Sequence, residues 1–180
     1  VCDSILDFNN NVYFYGPVTF EGCTLSGNFL LGPTVVFDST LKFTKCYFKD
    51  SDLFDFRGTK FKDSVIFTEC KFGEKVKFEG SEIFNLMINK PKVLDAQSNL
   101  PDTLIFRNIF LNEKLEIYNK NISNSSICNI EIDPYIINNV FFMYSANFKL
   151  LFPKQKNMDV IHATYSLLLN KYKNLGFEVC

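Results

Sequence analysis

Val35-Val36-Phe37-Asp38-Ser39-Thr40-Leu41-Lys42-Phe43-Thr44-Lys45-Cys46-Tyr47-Phe48 contains three units of the form apolar–x–Phe, with phenylalanines six and five residues apart. An amphipathic helix would repeat its apolar residues about every 3.6 positions, and a long strand would alternate without a break. This stretch does neither. Side chains at i−2 and i of a short extended segment point the same way. Each unit therefore offers two inward residues, and the polar residues between units turn a corner and face water.

The same unit recurs upstream at Leu6/Phe8, Val12/Phe14, Val18/Phe20 and Cys23/Leu25. It recurs downstream at Thr59/Phe61, Val65/Phe67, Cys70/Phe72, Val76/Phe78, Ser81/Ile83 and Leu86/Ile88. A longer period lies over the short one. Phe14, Phe37, Phe61 and Ile83 are separated by 23, 24 and 22 residues, and Phe20, Phe43, Phe67 and Ile88 by 23, 24 and 21. Leu25, Phe48 and Phe72 follow at 23 and 24. Four faces of five or six residues make a coil of that length, so each series is expected to stack as a column. A left-handed hexapeptide helix would repeat about every 18 residues and does not fit. A wider three-sheet β-helix of the polysaccharide-cleaving kind lacks the regular five-residue subunit and ranks second. Gly16, Gly22, Gly27, Gly32, Gly58, Gly73 and Gly80 supply turn chemistry between units.

Composition agrees. Of 21 Phe in a chain without Trp, sixteen fall within residues 1–122, as expected if one structural slot is filled repeatedly. The net charge is −1, and residues 1–122 hold 16 acidic and 14 basic residues. That balance offers neither the basic stripe of a nucleic-acid binder nor the continuous acidic face of a DNA mimic. No apolar run reaches the roughly 20 residues of a membrane span. The start Val1-Cys2-Asp3-Ser4 lacks the charged and apolar regions of a signal peptide. Six Cys without a CxxC pair argue against zinc or thioredoxin-like chemistry and suggest a reducing, cytoplasmic setting.

Units such as Val18-Thr19-Phe20-Glu21-Gly22, Cys46-Tyr47-Phe48-Lys49-Asp50 and Cys70-Lys71-Phe72-Gly73 resemble the Phe-rich branch of the pentapeptide-repeat family. The resemblance covers residues 6–122 and implies a fold, not an activity. The fold expectation is an all-β solenoid: a right-handed quadrilateral parallel β-helix of about five coils with a C-terminal α-helix. Residues 1–122 form the repeat region, and 123–180 an irregular end coil and helical cap. Departures are the six-residue spacings, the stretch Leu53-Phe54-Asp55-Phe56, which reads as irregular, and a gap from Asn89 to Asp102 that reads as a loop between coils. Regular units return at Leu104/Phe106, Ile109/Leu111 and Leu115/Ile117 and then fade.

Residues 129–151 read either as a last irregular coil or as a helix packed on the end. Met158–Leu175 reads as an amphipathic helix with Ile161, Tyr165, Leu168, Tyr172 and Leu175 on one stripe, closed by Gly176. A helix over an open β-helix end would protect unpaired strands. Tyr165–Gly176 also resembles the helix that follows Phe-rich repeats in some microbial proteins, where it can precede a membrane or channel segment.

No residue is assigned a catalytic, cofactor-binding or metal-binding role. His162, the single histidine, has no nucleophile or carboxylate motif beside it. Cys2, Cys23, Cys46 and Cys70 lie about one coil apart, and at least the last three should stack inside as small apolar side chains. A single column with a rise of about 4.8 Å cannot converge tetrahedrally on a metal. Asp50, Asp52, Asp55 and Asp63 are interleaved with Lys49, Arg57, Lys60 and Lys62, the pattern of a self-neutralising face. Asn121 and Asn124 head glycosylation acceptor motifs, relevant only to a secreted chain.

The functional expectation is a non-enzymatic scaffold or protein-binding module without cofactor, its partner a protein still to be identified. Nucleic acid is disfavoured, and exposed solenoid ends suggest a homodimer through one end. The alternatives are a topoisomerase-protecting DNA mimic, a regulatory domain of a larger membrane protein, and a β-helix carbohydrate-active enzyme. The register itself is testable. Phe43→Ala is expected to cost about 3–5 kcal/mol, and Lys45→Ala less than about 0.5 kcal/mol, in urea denaturation. Equal losses would mean that the inward and outward positions are wrongly assigned.

Overall fold

The structure is a computed structural model. It describes residues 6–8, 11–26, 29–49, 54–89, 99–118, 128–143 and 148–151, together with 159, 162, 163, 165–167, 169 and 170. The chain is a parallel β-solenoid of stacked coils. Its first face stacks Leu6–Phe8, Phe29–Leu31, Phe54–Asp55, Lys75–Lys77, Thr103–Phe106, Cys128–Ile132 and Phe148–Leu151 into a seven-stranded sheet. The second face begins with Val12–Phe14 and Val35–Phe37 and ends with Phe110–Leu111. The third holds Val18–Glu21, Leu41–Thr44, Leu115–Tyr118 and Val140–Met143. Two long strands, Lys60–Thr68 and Glu82–Ile88, run through the corner between these faces and join them into one nine-stranded sheet. The fourth face pairs Thr24–Ser26 with Tyr47–Lys49 and continues as single bridges from Tyr47 to Lys71 and from Lys71 to Asn99.

The columns read from spacing are present. Phe14 registers with Phe37, Phe37 with Phe61, and Phe61 with Ile83, and the rings of the first three stack at 4.5 and 5.4 Å between centroids. Phe20, Phe43 and Phe67 stack at 4.9 Å at both steps, and Phe48 stacks on Phe72 at 5.1 Å. Burying such a side chain contributes about 1.5–3 kcal/mol, and an aromatic pair adds about 0.5–1.5 kcal/mol.

The first face departs from the expectation. Phe54-Asp55-Phe56 is not irregular: Phe54 and Phe56 both point inward and are buried, as are Phe29 and Leu31 one coil earlier. Two rungs of this face place a ring at i−2, Phe29 and Phe54, where its other rungs carry Leu, Val or Ile. The extra ring fills the centre of the coil. Phe54 lies 4.2 Å from Phe48 between centroids, and Phe29 meets Phe20 and Phe43 edge-on at 6.2 and 6.1 Å. A continuous stack of Phe56, Phe78 and Phe106 runs along the same face at 4.8 and 5.4 Å.

Corner length selects corner conformation. On the edge between the third and fourth faces, Phe20–Leu25, Phe43–Phe48 and Phe67–Phe72 are five-residue steps, with Gly22, Lys45 and Glu69 at φ of 61, 53 and 55°. The first-to-second edge repeats the rule with Gly58, Gly80 and Asn108 at 70, 69 and 53°. A left-handed residue tightens each turn and aims its amide at the next coil. Gly22 N donates to the Thr44 carbonyl, Lys45 N to Thr68, Gly58 N to Glu79 and Gly80 N to Arg107, at 2.9–3.0 Å. Of the seven glycines read as turn formers, only Gly22, Gly58 and Gly80 take this conformation among the described residues.

Where a coil leaves its track, side chains replace the missing backbone. Asn89 Oδ1 accepts from Cys70 N at 3.0 Å, and its Nδ2 donates to the Asn99 carbonyl at 2.7 Å. Asn99 then bonds both the amide and the carbonyl of Phe72, at 3.0 and 3.2 Å. Buried Asp133 accepts from Asn108 N, the corner amide that has no following coil carbonyl.

Of the two readings left open for 129–151, the structure has the coil. Cys128–Ile132, Val140–Met143 and Phe148–Leu151 continue the parallel sheets. The second face of that coil is instead a 3-10 turn, Pro134–Asn139, with Ile136 and Ile137 buried. Pro134 has no N–H for the ladder, which is why the strand pattern stops there. The C-terminal helix is small, with described residues between 159 and 170. Ile161, Leu168, Tyr172 and Leu175 of the expected stripe lie outside the described residues, and Tyr165 is half exposed.

The corners make opposite predictions for two substitutions. Gly58→Ala must hold alanine at positive φ and place its Cβ 2.7 Å from Pro33 Cβ, so a loss above about 1–2 kcal/mol is expected. Lys45→Gly relieves the same conformation and is expected to be neutral or stabilising by up to about 1 kcal/mol. Urea midpoints decide both.

Candidate functional site

The interior polar groups serve the fold. The inward small-residue column of the second face contains Val35, Thr59, Ser81 and Ile109, all buried. Thr59 Oγ1 donates to the Leu31 carbonyl at 3.3 Å, and Ser81 Oγ to the Phe56 carbonyl at 2.6 Å. The cysteine column is built the same way. Cys46 Sγ lies 3.4 Å from the Phe20 carbonyl, and Cys70 Sγ 3.6 Å from the Phe43 carbonyl. Both thiols are buried and free, Cys23 at the open end is partly exposed, and Cys2 lies outside the described residues. Contact with Cys46 and burial push the Cys70 thiol up. Burial, then the charge of Asp102, pushes the Cys128 thiol up to about 12. Nucleophilic and metal-binding cysteines need the thiolate, and the Cys70 and Cys128 sites favour the thiol, whereas the hydrogen bond with Cys70 pulls the Cys46 thiol down. Among the described residues, no three His, Cys, Asp or Glu side chains converge on a metal site.

The weighed carboxylates separate. Asp50 and Asp52 lie outside the described residues. Asp55 sits on the outer side of the first face, 3% exposed, and accepts from Arg57 Nε at 2.9 and 2.7 Å and from Arg57 N at 3.0 Å. Asp63 occupies the corner between the second and third faces. Its carboxyl is held below the usual range by hydrogen bonds from Thr40 Oγ1, at 2.8 Å, and from Ser64 N, at 2.6 Å. Each of the two carboxylates is engaged by its own neighbours, Asp55 by Arg57 and Asp63 by Thr40 and Ser64. His162 is exposed on the short helix, and Asn121 and Asn124 lie outside the described residues.

The most organised outward cluster lies at the same corner, nearer the N-terminal end. Tyr13, Asp38 and Lys62 come from three consecutive rungs. Tyr13 OH donates to Asp38 Oδ1 at 3.1 Å, and Lys62 Nζ donates to Tyr13 OH and pairs with Asp38 at 2.9 Å. The ammonium also lies 5.1 Å from the centroid of the Tyr13 ring, within cation–π range. Tyr15, 79% exposed, places its ring 4.5 Å from that of Tyr13. Lys62 first, and Tyr13 second, hold the Asp38 carboxyl below its ordinary range. Tyr13 and Asp38 push the Lys62 ammonium up. The cluster joins aromatic and charged side chains of three rungs on the outer surface of the sheet.

Sequence reasoning missed this cluster although a signal existed. Tyr15, Asp38 and Lys62 each directly follow a column phenylalanine, at intervals of 23 and 24 residues. The column rule applied to outward positions would have aligned them.

In a chain carrying Cys2→Ser and Cys180→Ser, a thiol reagent is expected to modify Cys23 in the native state. Cys46, Cys70 and Cys128 should react only on denaturation. Native labelling of Cys70 at the rate of Cys23 would contradict the ladder.

No family model, no curated protein and no solved structure matches the chain.

Proposed function

We propose that the chain is a non-enzymatic scaffold that binds another protein through its tyrosine-bearing corner. The observation that carries this reading is the Tyr13–Asp38–Lys62 network with Tyr15 beside it. Tyrosines held in place from below offer contact area with little conformational entropy to lose, the property that enriches Tyr at interface hot spots. The expectations of no cofactor and a reducing, cytoplasmic setting belong to this reading, as does self-association through one end.

Mixed surface charge supports a protein partner over nucleic acid or DNA mimicry. The outward column of the second face is Tyr13, Val36, Lys60, Glu82 and Phe110, and that of the third is Thr19, Lys42, Ile66, Met87, Glu116 and Phe141. Each holds one acid and one base. Among the described residues no helix is long and apolar enough to cross a membrane.

A photo-crosslinking residue in place of Tyr15, compared with one in place of Tyr47 on the fourth face, tests the reading in source-cell lysate. A discrete heterologous protein adduct is expected from position 15 and not from position 47. Adducts of equal yield at both positions, or none at position 15, would remove the corner from consideration. Topoisomerase subunits in the adduct would favour the DNA-mimic alternative.

A further inference from the structure

The inward columns at i−2 differ in how strictly they keep one residue type. The second face uses Val12, Val35, Thr59, Ser81 and Ile109. The third uses Val18, Leu41, Val65, Leu86, Leu115 and Val140. The fourth repeats Cys23, Cys46 and Cys70 on three successive coils, which takes three of the six cysteines of the chain. A slot that needed only small bulk would drift among small residues, as the second face does. This one keeps sulfur.

The three thiols also share one orientation. Each sulfur approaches the carbonyl two residues before it: Cys23 Sγ lies 3.4 Å from Glu21, Cys46 Sγ 3.5 Å from Thr44 and Cys70 Sγ 3.5 Å from Thr68. Cys46 and Cys70 each meet a carbonyl of the preceding coil as well, Phe20 at 3.4 Å and Phe43 at 3.6 Å. Lys71 N donates to the Cys46 carbonyl at 2.9 Å, which fixes Cys70 beside Cys46 in the stack. The same orientation on neighbouring parallel strands sets consecutive sulfurs one strand spacing apart, about 4.8 Å.

That spacing selects a chemistry. A disulfide draws its two Cβ atoms to about 3.5–4.5 Å, closer than stacked in-register positions hold them. A tetrahedral ion needs four donors, and among the described residues no three His, Cys, Asp or Glu side chains converge. Two metal–sulfur bonds of about 2.3 Å, laid end to end, span about 4.6 Å. A soft monovalent ion that takes two donors in a straight line matches the column.

We propose that Cys46 and Cys70 hold a copper(I) ion in line between their sulfurs. This goes beyond the scaffold reading, which needs no metal, and stands apart from the tyrosine corner. Soft thiolate donors select copper(I). Each thiol that binds as thiolate gives its proton to solvent, so affinity rises with pH. Cys46 and Cys70 are 1% and 0% exposed, and the inward rings of their coils, Phe43, Phe48, Phe67 and Phe72, are at most 5% exposed. The site is therefore shielded from water. It lies inside the stack, so its geometry does not depend on what adjoins either end.

The test uses the full chain with Cys2→Ser and Cys180→Ser, refolded under nitrogen with copper(I) because both sulfurs are buried. One copper(I) per chain is expected to survive challenge by a bathocuproine chelator, with two sulfur neighbours in X-ray absorption. Changes outside the ligand shell already cost metal sites about 10–100-fold, so Cys46→Ala and Cys70→Ala are each expected to lower affinity about 100-fold or more. Cys23→Ala and Cys128→Ala are expected to leave it unchanged. Absence of retained copper, three or more sulfur neighbours, or loss of the metal in Cys23→Ala or Cys128→Ala overturns the inference. Should Cys46→Ala or Cys70→Ala fail to fold, the sulfur count and the other two variants decide the matter without them.

Discussion

A phenyl ring stacked on another phenyl ring, one strand spacing apart, is the constraint on which the rest of this structure depends. Parallel strands lie about 4.8 Å apart, and the column rings lie 4.5–5.4 Å apart between centroids. The backbone ladder and the aromatic stack thus ask for the same rise. Each coil must return its phenylalanines to the same place, and coil length follows from that requirement. Where one coil takes six residues between faces and the next takes five, the surplus is absorbed at the corner. The register shift between Phe61 and Ser64, opposite the shorter step from Ile83 to Ile88, is such a place.

The ring columns were legible because they repeat on two scales, and a mistaken register would have broken one of them. Phe54 and Phe56 were not, because the step from Phe48 to Phe56 is eight residues where the beat is five or six, and this unit carries two large rings. Its logic is three-dimensional: a second ring fits only where the facing corner leaves room in the middle of the coil, and spacing alone does not report room. The coil after Leu115 was hidden for a different reason. Pro134 turns one of its faces into a 3-10 segment, so a residue that still faces inward no longer falls on the five-residue beat. The Tyr13–Asp38–Lys62 cluster escaped because outward positions have no compositional signature. Alignment with the inward columns reveals Asp38 and Lys62 together with Tyr15, whereas Tyr13 shares its column with Val36 and Lys60.

The left-handed corners show how backbone strain and coil length are exchanged. Glycine accepts these turns without penalty at Gly22, Gly58 and Gly80, whereas lysine, glutamate and asparagine accept them at Lys45, Glu69 and Asn108 under the pressure of the stack. The Lys45 ammonium lies 3.9 Å from the Glu69 carboxylate, so two strained corners carry opposite charges one above the other. Asn89, Asn99 and Asp133 solve the related problem of a coil that departs. Each offers a side-chain oxygen where the ladder lacks a carbonyl, so an interruption does not leave a buried amide without an acceptor.

Such a stack also measures length in fixed steps. Losing one residue inside a strand would turn the side chains after it on that face the wrong way until a corner absorbed the change, whereas losing a whole coil of 22–24 residues would bring matching columns together again. The rod can therefore grow or shrink by about one strand spacing per coil while its surface chemistry elsewhere is unchanged. A gene encoding it can vary the length of the stack like a ruler graduated in rungs.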